Sequence, residues 1–184
     1  MDRDVFILSA ISKTEPAEAI RLALENIDVK PSRVGDAVFG YDGSFSLPDV
    51  EQITKEAGLS CPAVNVSSSL RAVFFAAQSI LSGDQELAVV VGLCEESSTA
   101  ILLASPDTVG RFNLLPRARL AARSLTGTEA ALNAAGLASG DVAISKDGER
   151  GALLVRELLE ELEQSQAQWG LVCTGQLVLL IERI

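Results

Sequence analysis

The chain runs through one order of elements twice, and this repetition limits its possible folds more than any other feature. Ala19–Phe39 reads as helix, turn and strand, and so does Glu129–Ile144. Leu70–Leu103 reads as helix, strand, turn and strand, and so does Ala152–Ile181. Gly92-Leu-Cys94 and Val172-Cys-Thr174 fall at comparable places before the last strand of each series. A duplication of this kind predicts two α/β halves packed about a pseudo-twofold axis. The expected division is a first half over 1–105, a connection over 106–116 and a second half over 117–184.

The single elements support that outline. Val5–Ala10, Leu87–Val91, Thr99–Ala104 and Leu177–Ile181 are apolar runs, as strands covered on both faces require. Shorter strands are expected at Asp36–Phe39, Ala63–Val66, Asp141–Ser145 and Leu171–Cys173. One helix opens at Glu15-Pro16, where proline is tolerated in a first turn, and carries apolar residues at helical spacing through Asn26. Further helices are predicted over Pro48–Ala57, Leu70–Leu81, Thr128–Ala135 and Gly151–Gln164, with Gly58, Gly83 and Gly136 as stops after three of them. Tyr41-Asp-Gly-Ser reads as a turn. Pro106, Gly110 and Pro116 break regularity in the connection, and Arg117–Arg123 lacks a clear period, with a helix as the favoured reading.

Composition removes several function classes. Hydrophobic residues make up 48% of the 184, enough for a sizeable core and against disorder. A net charge of -10 repels nucleic acid and anionic membrane, so neither is an expected partner. No apolar run approaches the roughly 20 residues of a spanning helix, and Met1-Asp-Arg-Asp leads into a strand with no signal peptide. The three cysteines, Cys61, Cys94 and Cys173, are an odd and unclustered set, which argues against a disulfide framework or a zinc site and for reduced thiols in the cytoplasm. The chain contains no histidine. No Ser-His-Asp or Cys-His pair can therefore form within it, and proton transfer falls to carboxylate, lysine, tyrosine, cysteine or water.

Three stretches resemble the thiolase and ketosynthase superfamily. Val66-Ser-Ser-Ser-Leu-Arg-Ala72, with the helix that follows, is similar to a ketosynthase's Cys-Ser-Ser-Ser-Leu-x-Ala. Aligned without gaps, the nucleophile column falls on Val66; a one-residue gap moves it to Ser67. Trp169-Gly-Leu-Val-Cys-Thr-Gly175 with Leu179-Leu-Ile-Glu-Arg183 resembles the thiolase C-terminal segment, and Cys173 matches the family's second cysteine, an acid and base at the substrate α-carbon. Ser145-Lys-Asp-Gly-Glu-Arg-Gly-Ala152 takes the place of the Gly-His-Pro loop, which puts Ser145 in the histidine column. The chain is about half the length of a complete thiolase, and the Asn-Glu-Ala-Phe stretch is unrecognisable. The resemblance implies a duplicated thiolase-like fold in layered α-β-α-β-α arrangement, and a dimer formed through Ala63–Val66.

Each candidate has a structural and a chemical reading. Ser67, Ser68 and Ser69 are acyl acceptors or a helix N-cap, and capping alone explains them. Cys173 is the best chemical candidate, against a buried thiol at a strand end. Ser145 enters only through its column. Cys94, between its strand and Glu95-Glu96, is a poor nucleophile candidate. The carboxylates Glu157, Glu160, Glu161 and Glu163 read as a solvated helix face rather than a metal site. Gly40-Tyr-Asp-Gly43 lacks the Gly-Lys-Ser/Thr of a phosphate loop. Arg117, Arg119 and Arg123 form the one basic cluster, a solvated face or a dock for phosphopantetheine or an acidic partner.

The expected function is that of a degenerate thiolase-like protein without its nucleophilic cysteine and histidine. It would be non-catalytic and cofactor-free, a homodimeric scaffold or the inactive partner of an active thiolase or ketosynthase. The alternative is a residual acyltransferase or hydrolase that uses Cys173 on acyl-CoA or acyl carrier protein thioesters.

Overall fold

A computed structural model describes residues 4–43 and 48–184. The turn expected at Tyr41-Asp-Gly-Ser runs into Ser44, and the N-terminal Met1-Asp-Arg precedes Asp4; both reach outside the described residues. In chain order the strands are β1 (Val5–Lys13), β2 (Asp36–Tyr41), β3 (Ala63–Val66), β4 (Leu87–Leu93), β5 (Ser98–Ala104), β6 (Ala118–Ser124), β7 (Ile144–Asp147), β8 (Trp169–Thr174) and β9 (Leu177–Arg183). The helices are α1 (Pro16–Glu25), α2 (Val50–Glu56), α3 (Ser69–Ser82), α4 (Pro106–Phe112), α5 (Thr128–Ala135) and α6 (Gly151–Ser165).

The strands join in the order β3-β2-β4-β5-β1-β6-β9-β8-β7, and from β2 to β7 this order is a palindrome of equivalent strands. Asp36, Ala88, Leu103 and Ile7 lie opposite one another across β2, β4, β5 and β1. Ile144, Gly170, Ile181 and Leu120 do the same across β7, β8, β9 and β6. The ladder register breaks just after Ile7 in β1 and just after Leu120 in β6, so the two halves share a bulge at one equivalent position. The halves meet where Val5, Phe6 and Ile7 of β1 pair with Leu120, Arg119 and Ala118 of β6.

Side-chain alternation sets the layers. Val38, Ala88, Val90, Ile101 and Leu103 from the first half, with Val172, Leu179 and Ile181 from the second, share one core with α3 and α6. The other face of the first half, with Phe39, Val89, Val91 and Leu102, packs on Ile20 and Leu24 of α1 and Ile53 of α2. Leu171, Val178 and Leu180 pack on Ala131 and Leu132 of α5. The result is the α-β-α-β-α stack of a duplicated α/β fold, with α3 and α6 as its middle layer.

Two local expectations are corrected. The 106–116 connection contains α4, capped by Ser105, whose Oγ accepts the Thr108 N–H at 3.2 Å, and opened by Pro106 at its first position. Arg117–Arg123 is strand β6 rather than helix, because β1 and β9 flank it and supply its hydrogen bonds. The equivalence within the repeat also shifts locally. The ladders place Cys173 against Val91, not beside Cys94, and Ile144 against Asp36 rather than Phe39. Among the described residues, no helix is long and apolar enough to cross a membrane.

Candidate functional site

The N-termini of α3 and α6 meet at the centre of the molecule, and glycines allow the approach. A Cβ on Gly151 would stand 2.6 Å from Leu70 Cβ and 2.8 Å from Leu70 N, and one on Gly92 would stand 2.8 Å from Ser69 Cβ. Ser69, wholly buried, holds the meeting point together. Its amide donates to Asp42 Oδ1 at 2.9 Å and its hydroxyl donates to Asp42 Oδ2, while its Oγ accepts the Ala152 N–H at 2.7 Å. One side chain thus ties the end of β2 to the first turn of α3 and the first turn of α6, satisfying donors that helix starts leave open.

Asp42 feels opposing influences. Burial pushes its carboxyl up, and the two Ser69 hydrogen bonds and the charge of Arg150 pull it down; burial prevails and the net shift is upward. In the sequence Asp42 is only part of a turn. Its partner is 27 residues away, and a side chain reaching that far has no local signature.

Two clefts flank this knot. One of about 510 Å³ lies beside Asp42, Cys94, Glu149 and Arg150. Cys94 there donates its thiol to Ser97 O at 3.0 Å, and Arg150 faces Glu96 at 3.5 Å. The other, about 1040 Å³, runs from Val66 and Ser67 to Thr174 and Gln176. It therefore sets the start of α3 opposite the β8–β9 turn.

The sequence-predicted residues do not converge. Val66, in the nucleophile column, is packed against the central core. Ser67 is exposed at the groove. Ser68 caps α3, its Oγ accepting the Arg71 N–H at 3.3 Å. Cys173 faces the other way: Val172 points to α6, so its neighbour points to the α5 layer, where the thiol lies 3.8 Å from Thr128 Oγ1. Burial pushes that thiol up, and the charge of Asp147 adds to the effect despite the Thr128 contact. Ser145 is an exposed residue inside edge strand β7, opposite Leu171. The loop that reaches the knot is Gly148-Glu149-Arg150 instead.

The charged clusters also resolve. Arg117 pairs with Glu163 at 2.7 Å, and Arg119 with Asp4 at 3.1 Å and Glu182 at 2.5 Å. Arg123 has no carboxylate partner among the described residues and donates to Phe74 O at 3.4 Å and Gln78 Oε1 at 2.5 Å. The α6 carboxylates are distributed over ion pairs: Glu160 with Arg156, Glu161 with Lys146 and Glu163 with Arg117. No group of acidic, cysteine or histidine side chains that could hold a metal occurs among the described residues.

These features, a sheet of palindromic strand order whose two halves enclose a pair of central helices meeting at their N-termini, are those of a thiolase-like fold. The chain is similar over 99% of its length to human mitochondrial 3-ketoacyl-CoA thiolase in complex with CoA, covering 98% of that chain at 11% identity with a TM-score of 0.87. A second structure of the human mitochondrial enzyme matches 98% of this chain and 99% of its own at 12% identity and a TM-score of 0.85. No family model and no curated protein matches the sequence. The likeness is one of fold, retained at an identity where few side chains are shared.

Proposed function

We propose that this thiolase-like chain is a non-catalytic member of its fold, acting as a dimeric scaffold or as the inactive partner of an active relative. The observation that carries this reading is the state of the central polar groups. Ser69, the one hydroxyl bonded to a carboxylate at the α3 start, is wholly buried and also accepts from α6. It is engaged in joining two helices and is closed to a substrate. An attacking group there needs a nucleophilic atom with a base beside it, and Val66 in the nucleophile column supplies no such atom. Cys173 faces a different layer, with its thiol held in the protonated form near neutral pH. Three free thiols suit a reducing compartment such as the cytoplasm.

Dimerisation rests on β3. Among the described residues it is one edge of the sheet, paired to β2, with Tyr41 Oη donating to Asn65 Oδ1 at 2.8 Å. An unpaired edge offers a ladder to a second copy. Sedimentation of the native protein, with intact-mass spectrometry after incubation with acetyl-CoA, tests both parts. Dimer mass with no acetyl adduct is the expected result. An adduct on any serine or cysteine overturns the non-catalytic reading, and a monomer at micromolar concentration overturns the scaffold.

A further inference from the structure

We infer that the outer edge of β7 receives an extended segment of a partner protein, one in which apolar and basic residues alternate, as an added strand parallel to β7. This goes beyond the scaffold reading and does not rest on it. The two halves match strand for strand except at the ends of the sheet. β2 and β7 are equivalent, but β2 has β3 on its outer side, and β7 has no strand there among the described residues. The difference lies in the connections. Residues 42–68 run from β2 to α3 and include α2 and β3, whereas Gly148, Glu149 and Arg150 alone join β7 to α6. So short a link cannot supply a helix and a strand.

Burial follows the same division. β2 is buried from Ala37 to Tyr41. In β7, Ile144 and Lys146 are half-buried, and Ser145 and Asp147 are exposed. On the outer layer Ile53 and Ala57 close over the first half, while Val142, Trp169 and Cys173 of the second stay partly buried. A sheet edge with unpaired N–H and C=O groups is a template for another strand, and backbone pairing at such an edge is a general way to take up a peptide.

The first half shows the form such a strand takes. β3 runs parallel to β2, with Val66 packed on the central core and Ala63 on the outer layer. At β7, Ile144 packs on the central core, so a strand beside it gains from apolar residues on that face. Its other face meets Ser145 and Asp147, which stand opposite Leu171 and Cys173 of the outer layer. No cation pairs with Asp147 among the described residues. On the inner side Lys146 is already held by Glu161, and that hydrogen bond, with the charges of Glu161 and Glu157, pushes its ammonium up. Carboxylates therefore outnumber cations along this edge, in a chain whose net charge is -10, and basic residues complement it.

Titration calorimetry on the full chain tests the inference with three probes: acetyl-Lys-Val-Lys-Val-Lys-Val-amide, the same peptide with Glu for Lys, and the Lys peptide with its amides N-methylated. The Lys peptide should bind about tenfold or more tighter than the Glu peptide, and the methylated peptide, which has no ladder donors, should not bind. At saturation, hydrogen exchange read by mass should slow by about tenfold over 144–147 and stay unchanged over 63–66. Asp147→Lys should weaken the Lys peptide by about tenfold and strengthen the Glu peptide. Glu25→Lys makes the same charge change on α1 and should move either affinity by less than about twofold. Equal binding of the Lys and methylated peptides, equal effects of the two variants, protection at 63–66 instead of 144–147, or no binding each overturns the inference. Sedimentation without peptide reads the scaffold separately.

Discussion

Replacing Ser69 with alanine isolates the knot at the helix N-termini. The hydroxyl serves two partners, and both are affected. Ala152 N–H, which now has a 2.7 Å acceptor, becomes a buried donor with none, a cost of about 1–3 kcal/mol. Asp42 loses a charge-assisted bond of about 1.5–3 kcal/mol but keeps the Ser69 amide at 2.9 Å and partial contact with water. With water recovering part of the second loss, about 3 kcal/mol is the expected destabilisation. For a chain of this size that lowers Tm by about 6–12 °C. Urea unfolding followed by far-UV circular dichroism measures it, with unchanged m showing that the unfolded state is not altered.

The pH dependence carries the sharper test. Burial raises the folded Asp42 carboxyl above its unfolded value. The folded state therefore binds the proton more tightly, and the contribution of this group is present at acid pH and lost as pH rises through the folded value. Ser69 pulls against that shift by favouring the carboxylate. Without it the shift grows, so Ser69→Ala should cost more at pH 7 than at pH 4. A double-mutant cycle with Asp42→Asn should return at least about 1 kcal/mol of coupling. A loss below about 1 kcal/mol at pH 7, or a cost independent of pH, would refute the assignment of Ser69 as the tie between the halves.

Gly151→Ala should be costlier than an ordinary glycine replacement, by about 1–3 kcal/mol, because the new methyl meets Leu70 backbone and Cβ rather than a flexible tip; urea midpoints compare it with Gly140→Ala, where nothing lies within 4 Å. Native Cys173 should react with iodoacetamide more slowly than free cysteine at pH 7 and accelerate as pH rises, since burial holds the thiol protonated; peptide mapping that finds it the fastest thiol at pH 7 contradicts this. Leu158→Ala, fully buried on α6, should lose about 2–5 kcal/mol in the same urea assay.

The elements legible in the sequence were those whose burial is simple. Leu87–Leu93 and Ser98–Ala104 are buried at every position, so a plain apolar run identified them. The repeat was legible for the same reason, and its pairing of Leu103 with Ile181 matches the ladders. Strand β6 is hidden in the sequence because Arg117, just before it, and Arg119 look like a polar segment until the fold brings Glu163 and Glu182 alongside. Helix α4 was hidden by Gly110 and two prolines, one of which is a good first residue. At the site, a serine cap is readable from Ser67, Ser68 and Ser69 as a group, and the structure gives that role to Ser68. The Ser69–Asp42 bond was not, because it depends on β2 and β3 being neighbours. The direction of Cys173 was available in principle: two-residue alternation from Val172 sends it to the outer layer.

The middle layer belongs to neither half alone. Leu158 and Leu159 of α6 share their core with Val38, Val90 and Ile101 of the opposite series, and among the described residues three backbone pairs stitch β1 to β6. A chain severed in the 113–117 stretch would leave each fragment with a large uncovered apolar face and one side of the serine knot. Fragments so matched should recombine from solution as a split pair, and their affinity would report the strength of the seam that a continuous backbone conceals.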